Sequence, residues 1–169
     1  MASTFSLEIL DGGLKAKLAK LQAAADDKTE VFGRVGAAVL SKVQLGFKTG
    51  TDPWGNAWAP LKLRKGQPLR DTGRLNRSIR SKPDADGVTI GTNLIYARVH
   101  QYGATIVPVK AKRLAFQGPA GPIFAKKVVV PARPYLPLKG GSVDLPDTWR
   151  AAVVSRLKAH FKAAVKETA

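Results

Sequence analysis

The sequence predicts an α+β fold: an antiparallel sheet with N-terminal helices and a C-terminal helix packed on it, and a protruding β-hairpin. Three observations carry this. The long helical apolar stripes lie at the two ends of the chain, the middle reads mostly as short extended runs broken by Gly and Pro, and 44% of the residues are hydrophobic, enough for a core. The 169 residues fit a single domain, mostly helical over 1–50, β-rich over 51–145, and closed by a helix over 146–167. No internal repeat and no low-complexity segment interrupts it.

Phe5, Leu7 and Ile9 alternate with polar residues as in a short edge strand. Beyond Asp11-Gly12-Gly13, Leu14, Leu18, Leu21 and Ala25 recur at three- and four-residue steps, one face of a helix. Asp26 or Asp27 can cap a second helix, with Glu30 in the capping-box position relative to Asp27. In that helix Val31, Val35, Val39 and Val43 form a stripe, widened by Ala38 and Leu45, and Gly50 ends it. Gly33 and Gly36 each cost roughly 1 kcal/mol against Ala inside a helix, which makes sense where another segment packs closely.

From Thr51 to Pro83 periodicity fades, and Asp71-Thr72-Gly73-Arg74-Leu75 can open one short helical turn. Arg77–Lys82 and Val88–Thr92 read as strands around the turn Pro83-Asp84-Ala85-Asp86-Gly87. Asn93 to Tyr102 carries Leu94, Ala97 and Gln101 at helical spacing and stops at Gly103. Three extended runs follow, Thr105–Val109, Arg113–Gln117 and Ile123–Val130, with Gly118 to Pro122 as an exposed hairpin tip. Pro131-Ala132-Arg133-Pro134 cannot lie inside a paired central strand. After Pro146, Trp149, Val153, Val154, Leu157 and Phe161 make the amphipathic face of the last helix, whose basic end should fray.

Composition narrows the chemistry. The absence of cysteine excludes disulfides, thiolate zinc sites, iron–sulfur clusters and thiol nucleophiles. No apolar run approaches the ~20 residues that span a bilayer, and the opening MASTFSLEILDGG lacks the order of a signal peptide, so a soluble, unexported chain is expected. Twenty-eight Lys and Arg against twelve Asp and Glu give a net charge of +16, which attracts polyanions. That charge is concentrated. Between Pro53 and Pro83 stand Lys62, Arg64, Lys65, Arg70, Arg74, Arg77, Arg80 and Lys82 against Asp71 alone. Gly87 to Val143 adds eight more bases and no acid. Such asymmetry favours a surface that faces DNA, RNA or an acidic partner.

Enzyme signatures are missing: there is no phosphate-cradling G-x-x-x-x-G-K-S/T, no G-x-G-x-x-G after a strand and no H-E-x-x-H. His160 sits near a helix C-terminus, where the dipole favours it. His100 lies in Tyr96-Ala97-Arg98-Val99-His100-Gln101-Tyr102-Gly103; no acid between Gly87 and Val143 can serve as its general-base partner, and a distant one such as Asp71 has no support in the sequence. It reads as a histidine that holds its loop by hydrogen bonds. Trp54 and Trp58 crowd into the Pro53/Gly55 turn, an arrangement that suits an anchor into the core better than a base-stacking platform. No catalytic residue, metal site or cofactor is expected.

Several stretches together resemble a known family. Phe47 leads to Asp52-Pro53-x-Gly55-x-x-Trp58-x-Pro60-Leu61, and then comes Leu69-x-x-Thr72-Gly73-x-Leu75-x-x-Ser78-Ile79. Val88-x-Ile90-Gly91-Thr92 precedes Tyr96-Ala97-x-x-His100-Gln101-x-Gly103. Leu114-Ala115-Phe116, Phe124-Ala125-Lys126 and Pro131-x-Arg133-Pro134-Tyr135-Leu136 complete the set. In this order, over roughly Val31 to Lys166, they resemble the virion morphogenesis or tail completion proteins of Mu-like phages, relatives of the minor tail protein Z of lambda. The resemblance implies a non-enzymatic virion protein at the head–tail junction or tail end, assembled in the host cytoplasm. It also implies a ring-forming subunit, commonly hexameric, around the DNA path, which contacts neck and tail proteins such as stopper, tail terminator and tail tube.

On that basis Lys62, Arg64, Lys65, Arg74, Arg77 and Arg98 are the DNA-facing candidates, for non-specific contact with the genome. Arg113, Phe116, Pro119, Pro122, Phe124, Lys126 and Lys127 belong to a candidate docking hairpin, since small exposed loops between strands commonly carry binding function. Trp54, Trp58, Tyr96, His100, Gln101, Gly103 and Arg133 are taken as structural. The alternative is a basic nucleic-acid-binding accessory protein that acts as a monomer; an enzyme acting on DNA or cell wall ranks third.

Overall fold

The computed structural model describes residues 28–62, 65–118 and 120–166, together with Ala19 and Gln22, both helical and exposed. The expected N-terminal strand and most of the first expected helix lie outside the described residues. Helix α1 (Thr29–Thr49) forms on its valine stripe: Val31, Val35, Val39 and Val43 are all buried, and Phe47, one further step along, is fully buried. Its N-cap is Lys28, with no side-chain cap hydrogen bond, while Asp26 and Asp27 lie outside the described residues. Glu30 instead pairs with Arg34 one turn on, at 2.6 Å. Gly50 ends the helix in the left-handed conformation (φ 77°), its N–H donating to the Gly46 carbonyl. Leu45 does not widen the stripe; it is 50% exposed.

Close packing accounts for Gly36. A Cβ there would overlap Ser81 Oγ and come within 2.8 Å of Val88 Cγ2, so glycine lets a hairpin lie against α1. That hairpin is β1 (Arg80–Pro83) with β2 (Val88–Gly91), antiparallel, with Ser81 opposite Ile90 and Lys82 opposite Thr89. At Gly33 the nearest neighbour of an added Cβ is Pro83 Cγ at 3.8 Å, so no close approach requires glycine there. In the chain between α1 and this hairpin comes α2 (Arg74–Ser78), the one expected helical turn, entered through Gly73 at φ 73°.

Helix α3 (Ala97–Tyr102) is shorter than its apolar spacing predicts, because Leu94 to Tyr96 form a lead-in turn. The rest of the β-rich middle departs from the single sheet expected. β3 (Ala104–Ile106) pairs with β6 (Val128–Val130), and β4 (Leu114–Gly118) pairs with β5 (Gly121–Ala125). β7 (Leu138–Lys139) and β8 (Ser142–Val143) make a further hairpin around Gly140 and Gly141, both at positive φ. Ile123–Val130, expected as one run, is thus split at Lys126-Lys127 into strands with different partners. Among the described residues, four two-stranded antiparallel ladders stand where one sheet was expected. The physical reason is strand length: runs of two to five residues, separated by Gly and Pro, offer too short an edge for a further partner, and no strand has a second neighbour among the described residues.

Helix α4 (Asp147–Lys166) begins after Pro146, whose carbonyl accepts from the Trp149 and Arg150 amides. Trp149 is buried and Val153 packs on the core; Val154 and Phe161, expected on the apolar face, are each 40% exposed. The core joins Val39, Val43 and Phe47 of α1 to Trp58, Leu75, Ile79, Ala97, Tyr135 and Trp149.

Candidate functional site

At the centre of the molecule the residues of the sequence motifs meet in a buried clamp. The Asp52 carboxylate shapes the first corner, Oδ1 accepting from the amides of Trp54 (2.9 Å) and Asn56 (2.8 Å). That turn delivers Trp58 to the core, 6% exposed and edge-on to Phe47 at 5.4 Å between ring centres. The Trp58 indole donates from Nε1 to the Pro134 carbonyl at 2.7 Å. Tyr135 completes the aromatic group, 5.6 Å from Phe47, with its hydroxyl donating to the Ala97 carbonyl at 3.3 Å. Burial pushes the Tyr135 phenol up to about 12.

Gln101 and Arg133 tie the clamp together. Gln101 is 3% exposed; its Nε2 donates to the Leu136 carbonyl (2.9 Å), and Oε1 accepts from the Tyr135 and Leu136 amides (3.0 Å each). One side chain therefore satisfies three backbone groups of a proline-rich segment that no strand can satisfy. Buried Arg133 donates from Nε to the Ala59 carbonyl (2.7 Å) and from Nη2 to that of Pro60 (3.0 Å). Its own amide donates to the His100 carbonyl at 2.7 Å. Gly103 (φ 73°) makes this join possible, since a Cβ would sit 2.8 Å from the Ala132 nitrogen.

His100 thus contributes its backbone carbonyl to the clamp. Its Nδ1 is buried and takes no hydrogen bond, and Tyr96 meets the ring edge-on at 5.8 Å. The loop-holding role read into its imidazole belongs to Gln101. Burial, and then the Arg133 charge, hold its pKa below the usual histidine value. The ring lines a cleft of about 340 Å³ with Asp71, Arg74, Tyr96 and Arg133 over a leucine floor. Among the described residues no three His, Asp or Glu side chains are grouped to hold a metal ion.

The proposed surface residues are more dispersed. Lys62, Lys65 and Arg98 are exposed, Arg64 lies outside the described residues, and Arg74 turns to the His100 cleft. Exposed Arg77 donates from Nη2 to the Thr72 carbonyl at 2.9 Å. On the β4–β5 hairpin, Phe116 is half-buried opposite Ile123, whereas Phe124 is 61% exposed. Arg113, Pro122, Lys126 and Lys127 are exposed, and Pro119 lies outside the described residues. Trp54 is half-buried, with the Lys139 ammonium 5.5 Å from its ring centre.

A basic face formed by Arg80 and Lys82 was missed. Its signal was the alternation Arg80-Ser81-Lys82-Pro83, which puts both cations on one side of β1.

Comparison with known proteins decides the family. The model of the phage virion morphogenesis family matches residues 11–162, nearly the whole chain. The chain belongs to that family. The Mu-like prophage FluMu G protein 2 of Haemophilus influenzae is 33% identical over 73% of this chain and 75% of its own length. Protein G of Escherichia phage Mu, which is named for capsid assembly, is 31% identical over 88% of this chain and 98% of its own. No solved structure matches the chain. Membership of the phage virion morphogenesis family gives this protein a role in phage structure or assembly, and the family match spans α1, most of α4 and every ladder described above. Among the described residues no helix is long and apolar enough to cross a membrane.

Proposed function

We propose that this protein is a non-enzymatic structural component of the tail end or neck, completing tails so that they join DNA-filled heads, and that its copies form a ring around the DNA path. The observation that carries this reading is the acid-free stretch from Gly87 to Val143 in a chain of +16 that belongs to a virion morphogenesis family. A ring multiplies that charge. Duplex DNA presents one phosphate per ~1.7 Å of axis, so a basic lumen holds it without reading sequence. Packaged DNA must also leave, so the contact is weak, diffuse and salt-sensitive; affinity persisting at high salt would contradict the lumen. A sixfold ring is the expected assembly, and the β4–β5 hairpin, with Phe124, Lys126 and Lys127 exposed, is the arm offered to neighbouring neck or tail proteins.

Two further readings have their own support. The charge also suits a nucleic-acid-binding accessory protein acting as a monomer, and the name of the phage Mu relative points to the capsid. Electron microscopy of a lysate defective in this gene separates all three. Filled heads beside finished tails, joined when the gene is supplied, are the expected result. Missing or aberrant heads would move the role to the capsid. Normal infectious particles would leave the accessory protein.

A further inference from the structure

We propose that the outer face of the β1–β2 hairpin is the surface that grips the phosphodiester backbone of duplex DNA. The inference rests on the DNA-path reading above and says which face meets the duplex. Strand alternation sets it up: Ser81, Pro83 and Val88 turn toward α1, so Arg80, Lys82 and Thr89 project the other way.

On that side lies an open groove of about 610 Å³, lined by Ser78, Arg80, Lys82, Thr89, Thr92 and Asn93 together with Gly91. Its lining contains no acid and no apolar side chain, so it suits a polar anion. Its openness to solvent suits a polymer running across it rather than an enclosed small molecule.

The groove is braced. Ser78 Oγ and Thr92 Oγ1 are 2.6 Å apart, tying the end of α2 to the segment after β2. Arg80 donates from Nη1 to the carbonyls of Arg77 and Ile79, which fixes its guanidinium while its charge and remaining N–H groups stay available. An arginine held in this way loses less rotamer freedom on meeting a phosphate. Lys82 makes no ion pair among the described residues, and Thr89 and Asn93 are exposed donors. The acidic end of the hairpin sets a direction. Asp84 Oδ1 accepts from the amides of Asp86 and Gly87, and both carboxylates repel phosphate, so the duplex must cross at the α2 end. None of these interactions depends on base identity.

The test is fluorescence anisotropy with a short DNA duplex of mixed sequence, titrated over a range of salt. The proteins are wild type, Lys82→Gln, Arg80→Gln with Lys82→Gln, and a control carrying Lys158→Gln with Lys162→Gln, two exposed cations on α4 outside the acid-free stretch. Because Arg80 also bonds the end of α2, Lys82→Gln alone keeps the test decisive if the double variant is unstable. Every phosphate that a variant no longer neutralises should flatten the slope of log affinity against log salt by about 0.9. The expected result is therefore a slope flatter by about 0.9 in Lys82→Gln and by about twice that in the double variant, alike for unrelated duplexes, with little change in the control. Equal flattening in control and groove variants, or none in either, would overturn the assignment while leaving DNA binding standing. Wild type that binds no duplex at low salt would overturn both. Equal flattening on an RNA duplex would count against B-form DNA as the ligand.

Discussion

Gln101 holds three backbone groups with one amide, and its replacement exposes how much the clamp depends on it. Gln101→Leu keeps the volume but strands the Tyr135 and Leu136 amides, at about 1–3 kcal/mol for each group left unsatisfied, while the Leu136 carbonyl keeps the Leu138 amide. Urea unfolding should show a large fall in midpoint with an unchanged slope. Gln101→Glu keeps both acceptor interactions and should fall between wild type and Gln101→Leu. His100 acts through its charge instead. Its pKa is lowered in the fold, so the unfolded chain binds the extra proton first and stability drops as pH falls from above 6.5 toward the folded value. Thermal melts from pH 8 to pH 5 should show this loss, and His100→Gln should flatten it. An unchanged profile in that variant would assign the acid sensitivity to other groups.

At the scale of elements, the two glycines inside α1 answer oppositely to the same change. Gly33→Ala meets nothing closer than 3.8 Å, so it should gain up to about 1 kcal/mol of helix propensity. Gly36→Ala drives a methyl into Ser81 and Val88, separating α1 from the β1–β2 hairpin, and should destabilise by about 1–3 kcal/mol. Melting temperatures moving in opposite directions would confirm that the hairpin docks through Gly36. This docking also points Arg80 and Lys82 outward, so the position of the basic groove follows from one missing Cβ. The short ladders show the same economy. Each is only a pair, and the clamp of Trp58, Gln101 and Arg133 supplies the long-range ties that a continuous sheet would otherwise provide.

For the whole molecule, the proposed ring predicts an assembled mass. Native mass spectrometry from a volatile salt at raised ionic strength should find a closed multiple of the 18.1 kDa chain, six copies for the expected ring. A protein that stays monomeric at every concentration, yet binds duplex DNA tightly, would favour the accessory reading instead. Like charge on every copy opposes assembly, so the oligomer should gain from added salt while its hold on DNA weakens. The two responses run in opposite directions and can be read in one titration.

Much of the molecule is written in local patterns. The valine stripe of α1, its stop at Gly50, the turn that opens α2 and the β1–β2 hairpin around Asp84 and Gly87 all rest on interactions within a few residues of one another. Trp58 as a core anchor was readable from Pro53 and Gly55 for the same reason. Charge asymmetry needed only counting. The partners of the β-strands did not follow, because runs of two to five residues carry too little pattern to choose among partners. Only the folded chain split Ile123–Val130 between two ladders, gave the loop-holding work to Gln101 rather than the His100 ring, and turned Arg74 to a cleft. Those outcomes depend on side chains and backbone groups brought together from distant parts of the chain, whose geometry is set by packing around Phe47, Trp58 and Tyr135. Composition and spacing determined what kinds of surface the protein has; tertiary structure decided where each one faces.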